Sequence, residues 1–115
     1  MRPFSQRKFK FKAWNAEARL LMKLGSIECV RGELFKKDHV LLQYTGMTDK
    51  NEVEIYEMDV LLISNQKFIV RWDESNNGWC ILPFPLQDGV RALLKEDAEK
   101  MKRLCSYFEL EQIDA

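Results

Sequence analysis

Between residues 8 and 14, Lys8, Lys10 and Lys12 alternate with Phe9, Phe11 and Ala13, the period-two pattern of a strand with one covered face. The pattern predicts that the aromatic side turns inward. Asn15 to Ala18 reads as a turn, and Leu20 to Leu24 as an apolar hairpin partner closed by Gly25 and Ser26. Ile27 to Val30 is a further short apolar run. Arg31 and Gly32 turn the chain into Leu34 and Phe35, before the polar group Lys36, Lys37 and Asp38. Val40 to Tyr44 is the next strand, ending at Thr45 and Gly46. In the polar turn from Thr48 to Glu52, Asn51 is the residue best suited to a left-handed conformation. Val53, Ile55 and Tyr56 then lead into Asp59 to Ile63 and a turn at Ser64, Asn65 and Gln66. The clearest hairpin pairs Phe68 to Trp72 with Trp79 to Leu82 across residues 73–78, where Asn77 and Gly78 suit positive φ. Short strands at short intervals are the rhythm of an all-β chain.

After Pro83 and Pro85 the period changes. Val90, Leu93, Leu94, Ala98, Met101, Leu104, Cys105 and Phe108 recur at steps of three and four, which predicts a helix over residues 88–104 with Asp88 as its N-cap. Two alternatives stay open: a second helix after Lys95, and a final strand carrying Tyr107, Phe108, Leu110 and Ile113. The predicted fold class is therefore mainly β, an antiparallel barrel with a C-terminal helix.

The chain has 115 residues, 46% of them hydrophobic and 31% charged, with no low-complexity stretch or internal repeat. A chain of that size buries about two-thirds of its unfolded surface, enough for one core, so residues 1–115 are read as a single domain. Lys and Arg number 18, as do Asp and Glu, so no global field draws the protein to nucleic acid or to an anionic membrane. The charge is nonetheless uneven. Arg2, Arg7, Lys8, Lys10, Lys12, Arg19 and Lys23 stand against Glu17 alone in residues 1–24, whereas residues 25–60 hold four basic and eight acidic residues. Cys29, Cys80 and Cys105 are odd in number, far apart and set among apolar neighbours. They read as buried free thiols in a reducing cytoplasm. No uninterrupted apolar stretch follows the basic N-terminus and none is long enough to span a bilayer, so secretion and membrane insertion are not expected.

Candidate chemistry is sparse. The sole histidine, His39, lies in a loop beside Asp38, no serine sits in a nucleophile elbow, and the glycines are too scattered for a phosphate-cradling loop. Neither a cofactor nor a metal is expected. Glu52, Glu54, Glu57 and Asp59 are the densest acidic group. Asp49, Glu54 and Glu57 are the candidates for a hard cation there, but Val53, Ile55 and Tyr56 interrupt the spacing and favour a solvated edge. If the chain binds nucleic acid, Arg7, Lys8, Lys10 and Lys12 are the candidates for phosphate contact and Trp14 for stacking, with Arg71 and Trp72 as a second choice.

Three segments resemble the YopX protein family. Phe9 to Asn15 (FKFKAWN) resembles its opening motif, Gln43 to Val60 (QYTGMTDKNEVEIYEMDV) its central block, and Val70 to Asp73 with Gly78 and Trp79 its later hairpin. Together they cover about residues 8–82, leaving a C-terminal helical segment, about 86–115, particular to this chain. Two positions depart from the family. Glu52 and Met58 stand where it usually has glycine, which implies that Asn51 carries the turn and that the backbone at Met58 has no need of a glycine-only conformation. The resemblance implies a barrel-like domain of phages and prophages with no established activity. Within its central block, Tyr44, Thr45, Gly46, Asp49, Asn51, Tyr56 and Asp59 read as a structural corner. The hairpins also resemble those of SH3-like small barrels, an analogy of fold that does not fix function. The expectation is a non-enzymatic, cytoplasmic interaction module with a protein partner. The alternatives are a self-assembling adaptor and a nucleic-acid-binding barrel; no small-molecule substrate is expected.

Overall fold

In the computed structural model, which describes residues 6–85 and 89–113 and side-chain surroundings through residue 110, the apolar alternation becomes eleven strands. Strand β1 (Phe11–Asn15) turns back into β2 (Leu20–Lys23), pairing Lys12 with Lys23 and Asn15 with Leu20, and the Asn15 side-chain oxygen accepts the Ala18 N–H at 3.0 Å to close the turn. On its other edge β1 pairs with β5 (Val40–Thr48), which in turn pairs with β6 (Glu54–Tyr56), giving the sheet order β2-β1-β5-β6. The register of β5 shifts between Tyr44 and Thr48, where Gly46 takes φ 85°, a bulge that curls this sheet.

The second sheet has the order β10-β9-β8-β7-β11, from β7 (Asp59–Ile63), β8 (Gln66–Asp73), β9 (Gly78–Phe84), β10 (Arg91–Ala92) and β11 (Lys102–Ser106). Ser64 and Asn65, both at positive φ, make the tight turn between β7 and β8. Asn77 (φ 52°) ends the loop before β9. The sheets meet at Met58, whose N–H donates to the Val70 carbonyl (2.8 Å) and whose carbonyl accepts the Tyr107 N–H (2.7 Å). Met47 and Ile55 from one sheet pack with Leu61, Phe68, Val70 and Ile81 from the other, and Leu93, Ala98 and Met101 close the core. The chain is thus mainly antiparallel β, a curled half-barrel with two short helices, α1 (Lys95–Ala98) and α2 (Tyr107–Ile113).

Five local expectations are corrected. The apolar stripe after residue 89 is not one helix: it is β10, a single turn α1, then β11 and α2. Leu93, Ala98 and Met101 reach the core from three different local conformations, while Val90 and Leu94 stay more than half exposed. Pairing Lys102–Ser106 onto the open edge of β7 satisfies main-chain groups that a helix would have left to solvent, so tertiary hydrogen bonding overrides the helical period. The alternative final strand is not formed either: β11 ends at Ser106, and Tyr107, Phe108, Leu110 and Ile113 lie in helix α2. Asp88 lies outside the described residues. Left-handed backbone falls on Glu52 (φ 63°) and Met58 (φ 69°) rather than Asn51, so the two residues that replace the family's glycines keep the conformation glycine would take. Cys29 is exposed, because its strand has no second layer over it; Cys80 is buried and Cys105 half-buried. Phe9 is 58% exposed because β1 begins only at Phe11.

The remaining strands, β3 (Glu28–Val30) and β4 (Glu33–Phe35), form a sheet of their own joined by Arg31 and Gly32, both at positive φ. All six strand residues are exposed. With this arm the radius of gyration is 14.9 Å, where a compact chain of this length has about 13 Å.

Candidate functional site

Three surfaces bring together residues of chemical interest. The first is the corner where β5, β6, β7 and β11 converge. Thr45 Oγ1 donates to the Ile55 carbonyl (2.8 Å) and accepts the Met47 N–H (3.1 Å), fastening the bulge across the sheet. Asp49 is 3% exposed, and its carboxylate accepts the N–H groups of Asn51 (2.8 Å), Val53 (2.9 Å) and Arg103 (2.8 Å). Burial raises its pKa, but the three donors outweigh it and hold the carboxyl below the ordinary range. Asp59 opens β7 at 1% exposure, accepting the Tyr56 N–H (2.8 Å) and Arg103 through Nε (2.9 Å) and Nη2 (3.3 Å). There burial wins, and the Asp59 carboxyl stands above its ordinary range even with the guanidinium against it. Both carboxylates are spent on the fold: one clasps the turn, the other ties β7 to β11.

The second surface is the basic strand. Lys10 pairs with Glu54 and lies over the Tyr44 ring (5.3 Å). Their hydrogen bond raises the pKa of Lys10 and lowers that of Glu54. Lys12 lies over Tyr56 (4.5 Å), and half-burial pushes its pKa down against the pull of Asp59. Tyr44 and Tyr56 face each other across the sheet at 5.5 Å, so the two lysines cap a tyrosine pair. Lys8 is exposed, and Arg7 lies over Phe9 (5.1 Å). Trp14 is 6% exposed and stacked on Phe108 at 5.0 Å and 14°, which corrects its expected use as a stacking platform: helix α2 already occupies its face.

The third surface is a groove of about 400 Å³ lined by Arg7, Gln43, Glu57, Trp72 and Trp79. Trp72 and Trp79 are a cross-strand pair of β8 and β9 in edge-to-face contact at 5.1 Å, and Trp72 is 40% exposed. Glu57 is half-buried. That burial holds its carboxyl above the usual range, offset in part by the Gln43 main chain and the charge of Arg71.

The sequence-predicted acidic group is therefore dispersed: Glu54 on Lys10, Asp59 on Arg103, Glu57 in the groove and Glu52 exposed on its turn. Among the described residues no group of three or more His, Cys, Asp and Glu gathers as metal ligands. His39 Nδ1 lies 2.7 Å from the Lys37 carbonyl. No described helix is long and apolar enough to cross a membrane. Sequence reasoning missed Arg103, whose partners lie 44 and 54 residues away and which no local signal marks, whereas the hairpin read from the sequence already sets Trp79 opposite Trp72.

A family model described as YopX protein matches residues 10–102, running on into the C-terminal segment that the motif resemblance did not reach. No curated protein matches the chain. Among solved structures, protein EF1440 from Enterococcus faecalis is similar with a TM-score of 0.62 at 15% identity, over 94% of this chain and 99% of that one. At that identity the likeness concerns the fold alone.

Proposed function

This chain belongs to the YopX protein family, and from its surface we propose that it is a non-enzymatic interaction module, phage- or prophage-encoded and cytoplasmic, that assembles with copies of itself through the β3–β4 arm. The observation that carries this reading is the arm itself. Val30 (48%), Leu34 (39%) and Phe35 (51%) expose apolar side chains on a hairpin that no second layer covers among the described residues, and an isolated two-stranded hairpin is marginal in water.

A second copy supplies the missing layer. At the root of the arm a groove of about 340 Å³ is lined by Phe9, Phe11, Leu24, Ile27 and Tyr56, with Lys23 and the paired Lys10 and Glu54 among its polar members. The arm carries Glu28 and Glu33 beside its apolar residues, so an arm entering the groove of another copy brings acid to Lys23 and apolar to apolar. Two copies exchanging arms close a two-fold dimer. The non-enzymatic part rests on the use of Asp49, Asp59, Arg103, Lys10 and Glu54 in bonds within the fold, and the cytoplasmic part on the exposed free thiol of Cys29.

Light scattering after size exclusion tests the assembly. The wild type is expected to run as a dimer or larger, and Leu34→Asp with Phe35→Ser as a folded monomer. Glu33→Lys weakens assembly alone and regains it with Lys23→Glu. A wild type that stays monomeric at high concentration overturns self-assembly. A reproducible activity lost in Glu57→Gln, with folding retained, overturns the non-enzymatic reading.

A further inference from the structure

The groove at Trp72 lies outside the arm and takes no part in the arm exchange. We propose that it binds a guanine nucleotide, the base stacking on Trp72, its Watson–Crick edge donating to the Glu57 carboxylate, and its phosphate meeting Arg7.

Each part of the site selects one part of that ligand. Trp72 is 40% exposed at the loop end of the β8–β9 hairpin, in edge-to-face contact with Trp79, and every base can stack on an exposed indole. Glu57 supplies two acceptor oxygens from the turn between β6 and β7. Only guanine presents two adjacent N–H donors to a carboxylate, from N1 and the exocyclic N2. Adenine and cytosine place an acceptor beside their amino group, and uracil flanks its single N–H with two carbonyls. The half-buried setting of Glu57 leaves that carboxylate less hydrated than a surface one, so a pair of donors restores more than water does. Gln43, beside Glu57 through the bond from the Glu57 N–H to the Gln43 carbonyl (2.9 Å), adds an amide able to donate to the guanine O6.

Charge decides between this ligand and the other class that tryptophan and a carboxylate accept, an ammonium or guanidinium group. Arg7 lines the groove and Arg71 stands close enough for its charge to be felt at Glu57, so two positive charges accompany one negative charge. That balance repels a cation and attracts a phosphate. The volume, about 400 Å³, lies within the range of small-molecule sites and suits one nucleotide. The same base and phosphate occur in a free nucleotide and in a single strand.

Tryptophan fluorescence with GMP, AMP, CMP and UMP, and with short oligothymidylates that do or do not carry one central guanine, tests the proposal and separates the two sources. Guanine ligands are expected to bind about 10- to 100-fold more tightly than the others. Glu57→Gln is expected to erase that preference while weak stacking remains. Trp72→Ala is expected to remove binding of every base, and Arg7→Ala to weaken all ligands alike and flatten the salt dependence. GMP binding alone identifies a nucleotide site, and binding of the guanine oligomer alone a single-strand site. Binding of neither, equal binding of all bases, a guanine preference that survives Glu57→Gln, or tighter binding of arginine amide than of GMP overturns it. Unchanged circular dichroism of each variant ensures that a loss is read as a loss of contact.

Discussion

Removing the guanidinium of Arg103 while keeping its volume, as in Arg103→Met, isolates the bond that ties β11 to β7. Asp59 has 1% of its side chain exposed and Arg103 17%, and two of the three donors to the Asp59 carboxylate come from Arg103. Breaking a buried ion pair from one side costs about 3–5 kcal/mol; because Arg103 keeps some solvent contact and Lys12 remains near Asp59, the lower end, about 3 kcal/mol, applies. A domain of this size has about 6–17 kcal/mol in all, so the variant is expected to fold with its melting temperature lowered by about 12 °C. The pH dependence carries the sharper test. Burial already places the folded Asp59 carboxyl above its unfolded value, and losing the guanidinium raises it further. Between those two values the folded state holds the extra proton, so stability rises as pH falls through the folded pKa. The deficit of Arg103→Met is therefore largest at and above neutrality and shrinks on acidification toward the unfolded carboxyl value. Urea unfolding at pH 7.5 and pH 5, read by tryptophan fluorescence, measures both quantities. A loss under about 1 kcal/mol at neutral pH, or a deficit that grows on acidification, refutes the assignment of Asp59 and Arg103 as a buried pair.

Further outcomes follow from the same geometry. Asp49→Ala orphans three N–H groups and is expected to cost about 2–3 kcal/mol by urea unfolding. The folded carboxyl of Asp49 lies below its unfolded value, so its contribution is present above that unfolded value and is lost as pH falls through the folded one; the variant is expected to show a shallower acid decline. Glu52→Gly relieves a left-handed conformation at an exposed position and is expected to stabilise by about 0.5–1 kcal/mol in thermal unfolding, after the greater chain entropy of glycine is subtracted. Trp14→Ala, which strips the ring from Phe108, is expected to lose about 3–5 kcal/mol by urea unfolding, whereas Leu34→Asp is expected to change the unfolding free energy of the monomer by less than about 0.5 kcal/mol.

What the sequence made legible was short-range. The hairpin of β8 and β9 could be read because Trp72, Trp79 and the polar loop between them specify their pairing within fourteen residues, and the arm because Arg31-Gly32 stands between two apolar pairs. The C-terminal segment could not, since a stripe recurring every three or four residues is produced equally by a helix and by a chain that dips into a core at Leu93, Ala98 and Met101 in turn. What chose between them was the free edge of β7, a feature of the assembled sheet that no window of residues 89–106 contains. The same limit hid Arg103, whose meaning lies in carboxylates in distant strands.

The basic strand shows how the same residues change meaning once the sheet is built. Three lysines alternating with apolar residues read as a charged face turned to solvent, ready for phosphate. In the fold, β1 lies beside β5, whose Tyr44 lies under Lys10, and β6 brings Tyr56 under Lys12 while Glu54 reaches Lys10. A ligand phosphate at Lys10 must compete with a carboxylate already in place, and one at Lys12 must reach a half-buried amine above a ring. Lys8 and Arg7, ahead of the strand, carry no such cost, and Arg7 is the member that also lines the tryptophan groove. Charge reversal divides the two surfaces: Lys10→Glu sets two acids side by side and is expected to lower stability without changing nucleotide affinity. Arg7→Glu is expected to do the opposite, weakening nucleotide binding at constant urea midpoint. If both substitutions weaken binding equally, the phosphate lies along the strand and the groove is not its place.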